Sequence, residues 1–126
     1  MSANSPRVLM PASLYVRANE IDIHYLRDGR GPPLVLLHGW PEFCGVWEPL
    51  VSALRERLEL FAPDLRGFGD TTKPYAGPTE EMTSQVLADD LGAFLGALGL
   101  NRRSGWCRMM WVRSSLRCSL VAVRSV

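Results

Sequence analysis

Along residues 21–26 apolar and polar positions alternate, with Ile21, Ile23 and Tyr25 set against Asp22 and His24. A period of two marks a half-buried strand, since successive side chains point to opposite faces. The segment is therefore expected as an antiparallel strand with His24 on its solvent face. A shorter β-prone run at 13–16 precedes it, and Asp28-Gly29-Arg30-Gly31-Pro32-Pro33 is dense in turn residues. Leu34-Val35-Leu36-Leu37 is continuously apolar, the pattern of a strand covered on both faces. The period then changes. Trp47, Leu50, Val51, Leu54 and Leu58 form one helical stripe, with Glu48, Arg55 and Glu56 off it. Leu60-Phe61-Ala62 reads as a second covered strand, and residues 67–83 as a loop rich in Gly, Pro and Thr. Leu87, Leu91, Phe94, Leu95 and Leu98 make a second stripe, with Gly99 placed as a C-cap. Strand, helix, strand, helix is the grammar of an α/β fold, a mostly parallel sheet with flanking helices.

Composition narrows this picture. The chain has 126 residues, 47% of them hydrophobic and 21% charged, a single-domain length with a globular rather than disordered balance. No apolar run reaches the ~18–20 residues of a membrane span. The start, Met1-Ser2-Ala3-Asn4-Ser5-Pro6-Arg7, lacks the basic and apolar regions of a signal peptide. Cys44, Cys107 and Cys118 are an odd set without metal-ligand spacing. They are expected as free thiols in a reducing compartment, the cytoplasm. Cys44 is read as a small residue at a helix start and Asp89-Asp90 as a solvated helix face.

The candidate chemistry lies in two loops. His38-Gly39-Trp40-Pro41-Glu42 follows strand 34–37, and Asp64-Leu65-Arg66-Gly67-Phe68-Gly69-Asp70 follows strand 60–62. In a parallel sheet both would open on the same carboxyl edge, where sites form. Gly39 lets the backbone turn tightly, and Pro41 fixes its path in cis or trans. Asp64 and Arg66, two apart in a loop with Gly67 and Gly69, are expected to brace it by paired hydrogen bonds. His38 is expected as a hydrogen-bonded structural histidine.

These two motifs resemble the first half of an α/β-hydrolase of the group that holds epoxide hydrolases and haloalkanoate dehalogenases. Residues 38–41 match the epoxide hydrolase His-Gly-X-Pro motif, and residues 64–69 resemble the superfamily's Asp-X-Arg-Gly-X-Gly segment. The resemblance covers residues ~13–100, about two-fifths of a typical catalytic domain. It implies that the Trp40 N–H supplies half of an oxyanion hole and that its ring lines the substrate pocket. His38, Gly39 and Pro41 would shape that loop. It also implies an aspartate that attacks an epoxide or halogen-bearing carbon to form an alkyl-enzyme ester, which an activated water hydrolyses. The partner is a small epoxide or halogenated molecule, with no nucleic acid and no membrane. No cofactor and no metal are implied. Alternatives within the same fold are a dehalogenase and an esterase.

The tail departs from this pattern. Residues 1–100 carry a net charge of −5, whereas 101–126 hold six arginines and no acid, giving +6. Where the resemblance implies an apolar strand and a glycine-flanked nucleophile, the chain runs Asn101-Arg102-Arg103-Ser104-Gly105-Trp106-Cys107-Arg108-Met109-Met110-Trp111-Val112-Arg113. Neither a nucleophile, a late acid nor a distal histidine matches the family's pattern. Reading the codons from each third base, Met109-Met110-Trp111-Val112 becomes Asp-Val-Gly, and Trp106-Cys107 becomes Val, followed by Ser or Pro where Arg108 has a CGN codon. The segment then permits Val-Gly-Leu-Val-Ser-His-Asp-Val-Gly. The expectation is two regions: 1–100, the N-terminal part of a hydrolase domain, and 101–126, an out-of-frame tail ending at an early stop and outside the native fold. Such a truncated product would be inactive and poorly soluble, with strand 34–37 or 60–62 at an exposed sheet edge. The competing reading is a genuine basic arm, a non-enzymatic binding module whose salt-dependent binding disappears when 101–126 is removed.

Overall fold

A computed structural model describes residues 11–39, 43–72 and 84–100, together with the backbone of strands 106–114 and 117–124. The strands are β1 (Ala12–Ala18), β2 (Ile21–Gly29), β3 (Pro33–Leu37), β4 (Glu59–Pro63), β5 (Trp106–Ser114) and β6 (Arg117–Arg124). A 3₁₀ turn at Cys44–Trp47 leads into helix α1 (Glu48–Leu54), and α2 spans Ser84–Ala97. The six strands lie in the order β1-β2-β4-β3-β5-β6. Parallel pairs stand at the centre, β3 with both β4 and β5, and antiparallel pairs at either end.

The β1–β2 turn is two residues long. Asn19 and Glu20 both have positive φ, 48° and 66°, the backbone of a type I′ hairpin turn whose twist matches its strands. The apolar run of β3 feeds both faces of the sheet. Val35 and Leu37 join Ile21, Ile23, Tyr25, Phe61, Phe94 and Leu95 in one core, so α2 covers that face. Leu34 and Leu36 join Leu60, Ala62, Cys44, Trp47 and Val51 in the other, under α1. Burying each large aliphatic or aromatic side chain contributes about 1.5–3 kcal/mol. The α1 stripe is thus borne out in its packing, although the α-helix stops at Leu54 and turns carry the chain to Leu58.

At the end of α2 the C-cap reading holds in detail. Leu100 N–H reaches the Leu95 carbonyl at 2.9 Å and Gly99 N–H the Gly96 carbonyl at 3.1 Å, with Gly99 at φ +68°. This pair of bonds is a Schellman motif. Its apolar contact is present too, since Leu100 is buried in the same core as Leu95.

One expectation about the edges is corrected. Neither 34–37 nor 60–62 is exposed, because β4 pairs on both sides with β2 and β3, and β3 with β4 and β5.

Candidate active site

Because β3 and β4 run parallel, with Leu34 beside Leu60 and Val35 beside Phe61, the segments after them leave the sheet at one edge. His38 is fully buried there. Its Nε2 accepts the Leu65 N–H at 2.9 Å, and its Nδ1 lies 3.0 Å from the Gly39 carbonyl. A neutral ring protonated on Nδ1 satisfies both bonds. The Phe68 ring meets it edge-on at 5.3 Å. His38 is thus hydrogen-bonded at both ring nitrogens, and the bond to Leu65 ties the two loops together. Trp40, Pro41 and Glu42 lie outside the described residues, so the oxyanion-hole expectation for Trp40 and the backbone path at Pro41 stay expectations from the resemblance.

Asp64 is the centre of the second loop. It is 2% exposed, and its carboxylate accepts the Cys44 N–H at 2.7 Å, the His24 Nδ1–H at 2.7 Å and the Asp70 N–H at 3.1 Å. Burial pushes its pKa up, but these N–H donors outweigh burial and hold the carboxyl below its ordinary value of 3.8. The main chain closes the loop around it. Thr71 Oγ1 donates to the Asp64 carbonyl at 2.7 Å and accepts the His24 N–H at 3.0 Å. Gly69, at φ +51°, sits so close that an added Cβ would strike the Asp64 carboxylate. Only glycine fits there.

Three sequence expectations need correction here. His24 is not on a solvent face: it is 4% exposed and bonded to Asp64 at one nitrogen and to Ser13 Oγ, 2.6 Å away, at the other. The loop 64–72 lies against the face that alternation marks as outward. Asp64 and Arg66 do not pair with each other. Arg66 turns to α2 and grips Asp90 with two bonds of 2.7 Å, while Asn19 Nδ2 adds a third at 2.7 Å. Asp90 is consequently buried, and only Asp89 matches the solvated reading. Cys44 does open the 3₁₀ turn, 3% exposed and unpaired.

His24, Cys44 and Asp64 place ligand-type atoms within 4.8 Å of one another. Both Asp64 oxygens already accept N–H groups. Burial first, then the neighbouring Asp64 carboxylate, push the Cys44 thiol up to about 12, and a protonated thiol is a poor ligand. The cluster is satisfied as a bolt joining β2, the 3₁₀ turn and the 64–72 loop. Ser13, His24 and Asp64 also have the connectivity of a serine relay. Attack by a serine further needs donors aimed at the developing oxyanion, and Asp64 already has three bonds in the bolt, so no catalytic step is assigned to Ser13.

The alpha/beta hydrolase fold family matches residues 32–103. This chain belongs to that family. Its relatives include a soluble epoxide hydrolase of Corynebacterium sp. (strain C12), 39% identical over 84 residues, which cover 67% of this chain and 28% of the relative. A pimeloyl-[acyl-carrier protein] methyl ester esterase of Vibrio vulnificus (strain YJ016) is 39% identical over 66 residues, covering 52% and 26%. Haloalkane dehalogenases stand among the further relatives. In structure the chain is similar to an epoxide hydrolase of Vigna radiata, with a TM-score of 0.73 and 30% identity over 82% of this chain and 32% of that one. It therefore spans under a third of the length of these relatives. No helix among the described residues is long and apolar enough to cross a membrane.

Proposed function

We propose that this hydrolase-fold segment belongs to an epoxide hydrolase working through an alkyl-enzyme ester. The observation that carries the reading is the bond from Leu65 N–H to His38 Nε2, which holds both motif loops on one sheet edge. The similarity in sequence and structure to epoxide hydrolases supports it. In the reaction a carboxylate oxygen bonds to an epoxide carbon as that carbon's bond to oxygen breaks, and the freed oxygen takes a proton. Water then attacks the ester carbonyl, whose oxygen gathers negative charge, and release of the diol restores the carboxylate. The Trp40 N–H is assigned to that oxyanion, with Gly39 and Pro41 aiming it and His38 fixing the loop from below. Asp64, Arg66, Gly67 and Gly69 support it from the neighbouring loop. The substrate is a small epoxide, and neither a cofactor nor a metal takes part. Residues 101–126 contain no Asp or Glu, so the attacking carboxylate of this reaction is not supplied by them as they now read. A cytoplasmic setting suits the unpaired Cys44 thiol.

A chimera tests this. Residues 1–100 are joined to the remaining C-terminal part of the Corynebacterium relative and assayed for diol formation from styrene oxide. A folded chimera is expected to turn over, and Trp40→Pro, which removes the N–H, to slow ester hydrolysis by roughly 10²–10³. A folded but inert chimera, or an unaffected Trp40→Pro variant, would overturn the assignment.

A further inference from the structure

Three changes coincide just past α2. The helix closes with its Schellman bonds at Gly99 and Leu100, the family match ends at residue 103, and the charge balance reverses at 101. Beyond them, β5 runs parallel to β3, from Leu34 beside Arg108 to Leu37 beside Trp111. It therefore leaves the sheet at the edge where the His38 and Asp64 loops open. A sharp strand-to-helix turn at that place is where this fold presents a nucleophile. The residues of β5 include no Asp, no Glu and no Gly-X-Ser-X-Gly.

We propose that the codons of β5 are read out of register, and that the displaced register encodes an aspartate nucleophile at the Met109–Met110 junction. Met and Trp have one codon each, ATG and TGG, and every Val codon begins GT. Taken from each third base, Met109-Met110-Trp111-Val112 spells GAT, GTG, GGT, which is Asp-Val-Gly whatever synonymous codons are used. The glycine two places after the aspartate provides the small residue a tight elbow needs. A serine elbow does not fit the same bases. The Gly105–Trp106 junction ends in TG and encodes Leu, Val or Met, so no glycine can stand two places before a Ser at the Cys107–Arg108 junction. The residue two places after that Ser is the aspartate. The displaced register thus selects carboxylate chemistry, the alkyl-ester route, over the serine chemistry of an esterase. This deepens the epoxide hydrolase reading and rests on it. It also accounts for arginine without acid in the tail, since the present register answers to no selection for a core or a site.

The test begins with the gene, sequenced from the Leu95 codon to well past that of Val126. The expected result is a displaced register that stays open, with C as the third base of the Arg108 codon, so that CAT encodes His before the aspartate. Stops closing that register within β5 or soon after it would overturn the inference, while leaving the family assignment of residues 32–103 intact. An open register is then expressed with the reading restored, mixed with styrene oxide, quenched in acid and mapped by peptide mass. An epoxide adduct on the peptide bearing the new aspartate supports the inference. A serine acyl adduct from p-nitrophenyl butyrate, with no carboxylate adduct from styrene oxide or 1-bromobutane, overturns it. A carboxylate adduct from 1-bromobutane but none from an epoxide supports the inference and removes the epoxide reading instead.

Discussion

Asp64→Ala strips three N–H donors of their acceptor in one step. The Cys44 amide and the His24 ring approach the carboxylate at 2.7 Å, the Asp70 amide at 3.1 Å. Asp70 is exposed and its amide can turn to water, whereas Cys44 and His24 are 3% and 4% exposed. A buried donor left unpaired costs about 1–3 kcal/mol, so two of them, with the small cavity added, give a loss of about 3–5 kcal/mol. That is a large part of the 5–15 kcal/mol of a typical domain. With a urea slope of about 2 kcal/mol/M, the midpoint should fall by roughly 2 M, read by far-UV circular dichroism. Asp64→Asn keeps one acceptor oxygen and should lose about half as much, which leaves the reasoning testable if the alanine variant fails to fold. A change below about 1 kcal/mol for both variants would refute the bolt. The same carboxylate sets an acid limb. Its folded pKa is depressed, so its contribution is complete above the ordinary value of 3.8 and is lost as pH falls from there through the folded value. Asp64→Asn should flatten that limb in a pH series of urea midpoints.

Five other outcomes can be checked on the same protein. The Cys44 thiol, pushed up to about 12 by burial and by Asp64, should resist iodoacetamide in the folded chain and react once unfolded, as peptide mapping would report. Because its folded pKa is raised, the stability it contributes is complete below 9.0 and should decline as pH rises toward 12. Arg66→Lys breaks the two-pronged grip on Asp90 and should cost about 1–3 kcal/mol in urea unfolding. Glu20→Gly should raise stability by about 0.5–1 kcal/mol, since a left-handed residue other than glycine is strained by about 1–2 kcal/mol and glycine returns part of that as entropy. A fluorophosphonate probe should leave Ser13 unlabelled, and a Ser13 adduct would show that the contact with His24 activates it.

What the sequence made legible, and what it hid, follows from how far each interaction reaches along the chain. The β3 run, the α1 and α2 stripes and the Gly99 cap are local patterns, and each appears in the fold within a few residues of its expected bounds. Alternation placed Ile21, Ile23 and Tyr25 inward correctly, because period two reports the side chains that face the main core. It misplaced His24 because it says nothing of what covers the opposite face. Here the cover is a loop whose Asp64 stands 40 residues away. The Arg66 error has the same origin. Proximity in sequence suggested Asp64, two residues off, but that carboxylate is already engaged by the Cys44, His24 and Asp70 donors. The guanidinium instead reaches Asp90 on α2, 24 residues on. A motif therefore identifies which polar residues are held inside a loop, while their partners are decided by which strands the sheet brings alongside. For this chain the partners on the His38–Asp64 side come from β2, the 3₁₀ turn and α2. The remaining side of the edge belongs to β5, whose present residues hold no carboxylate to place there.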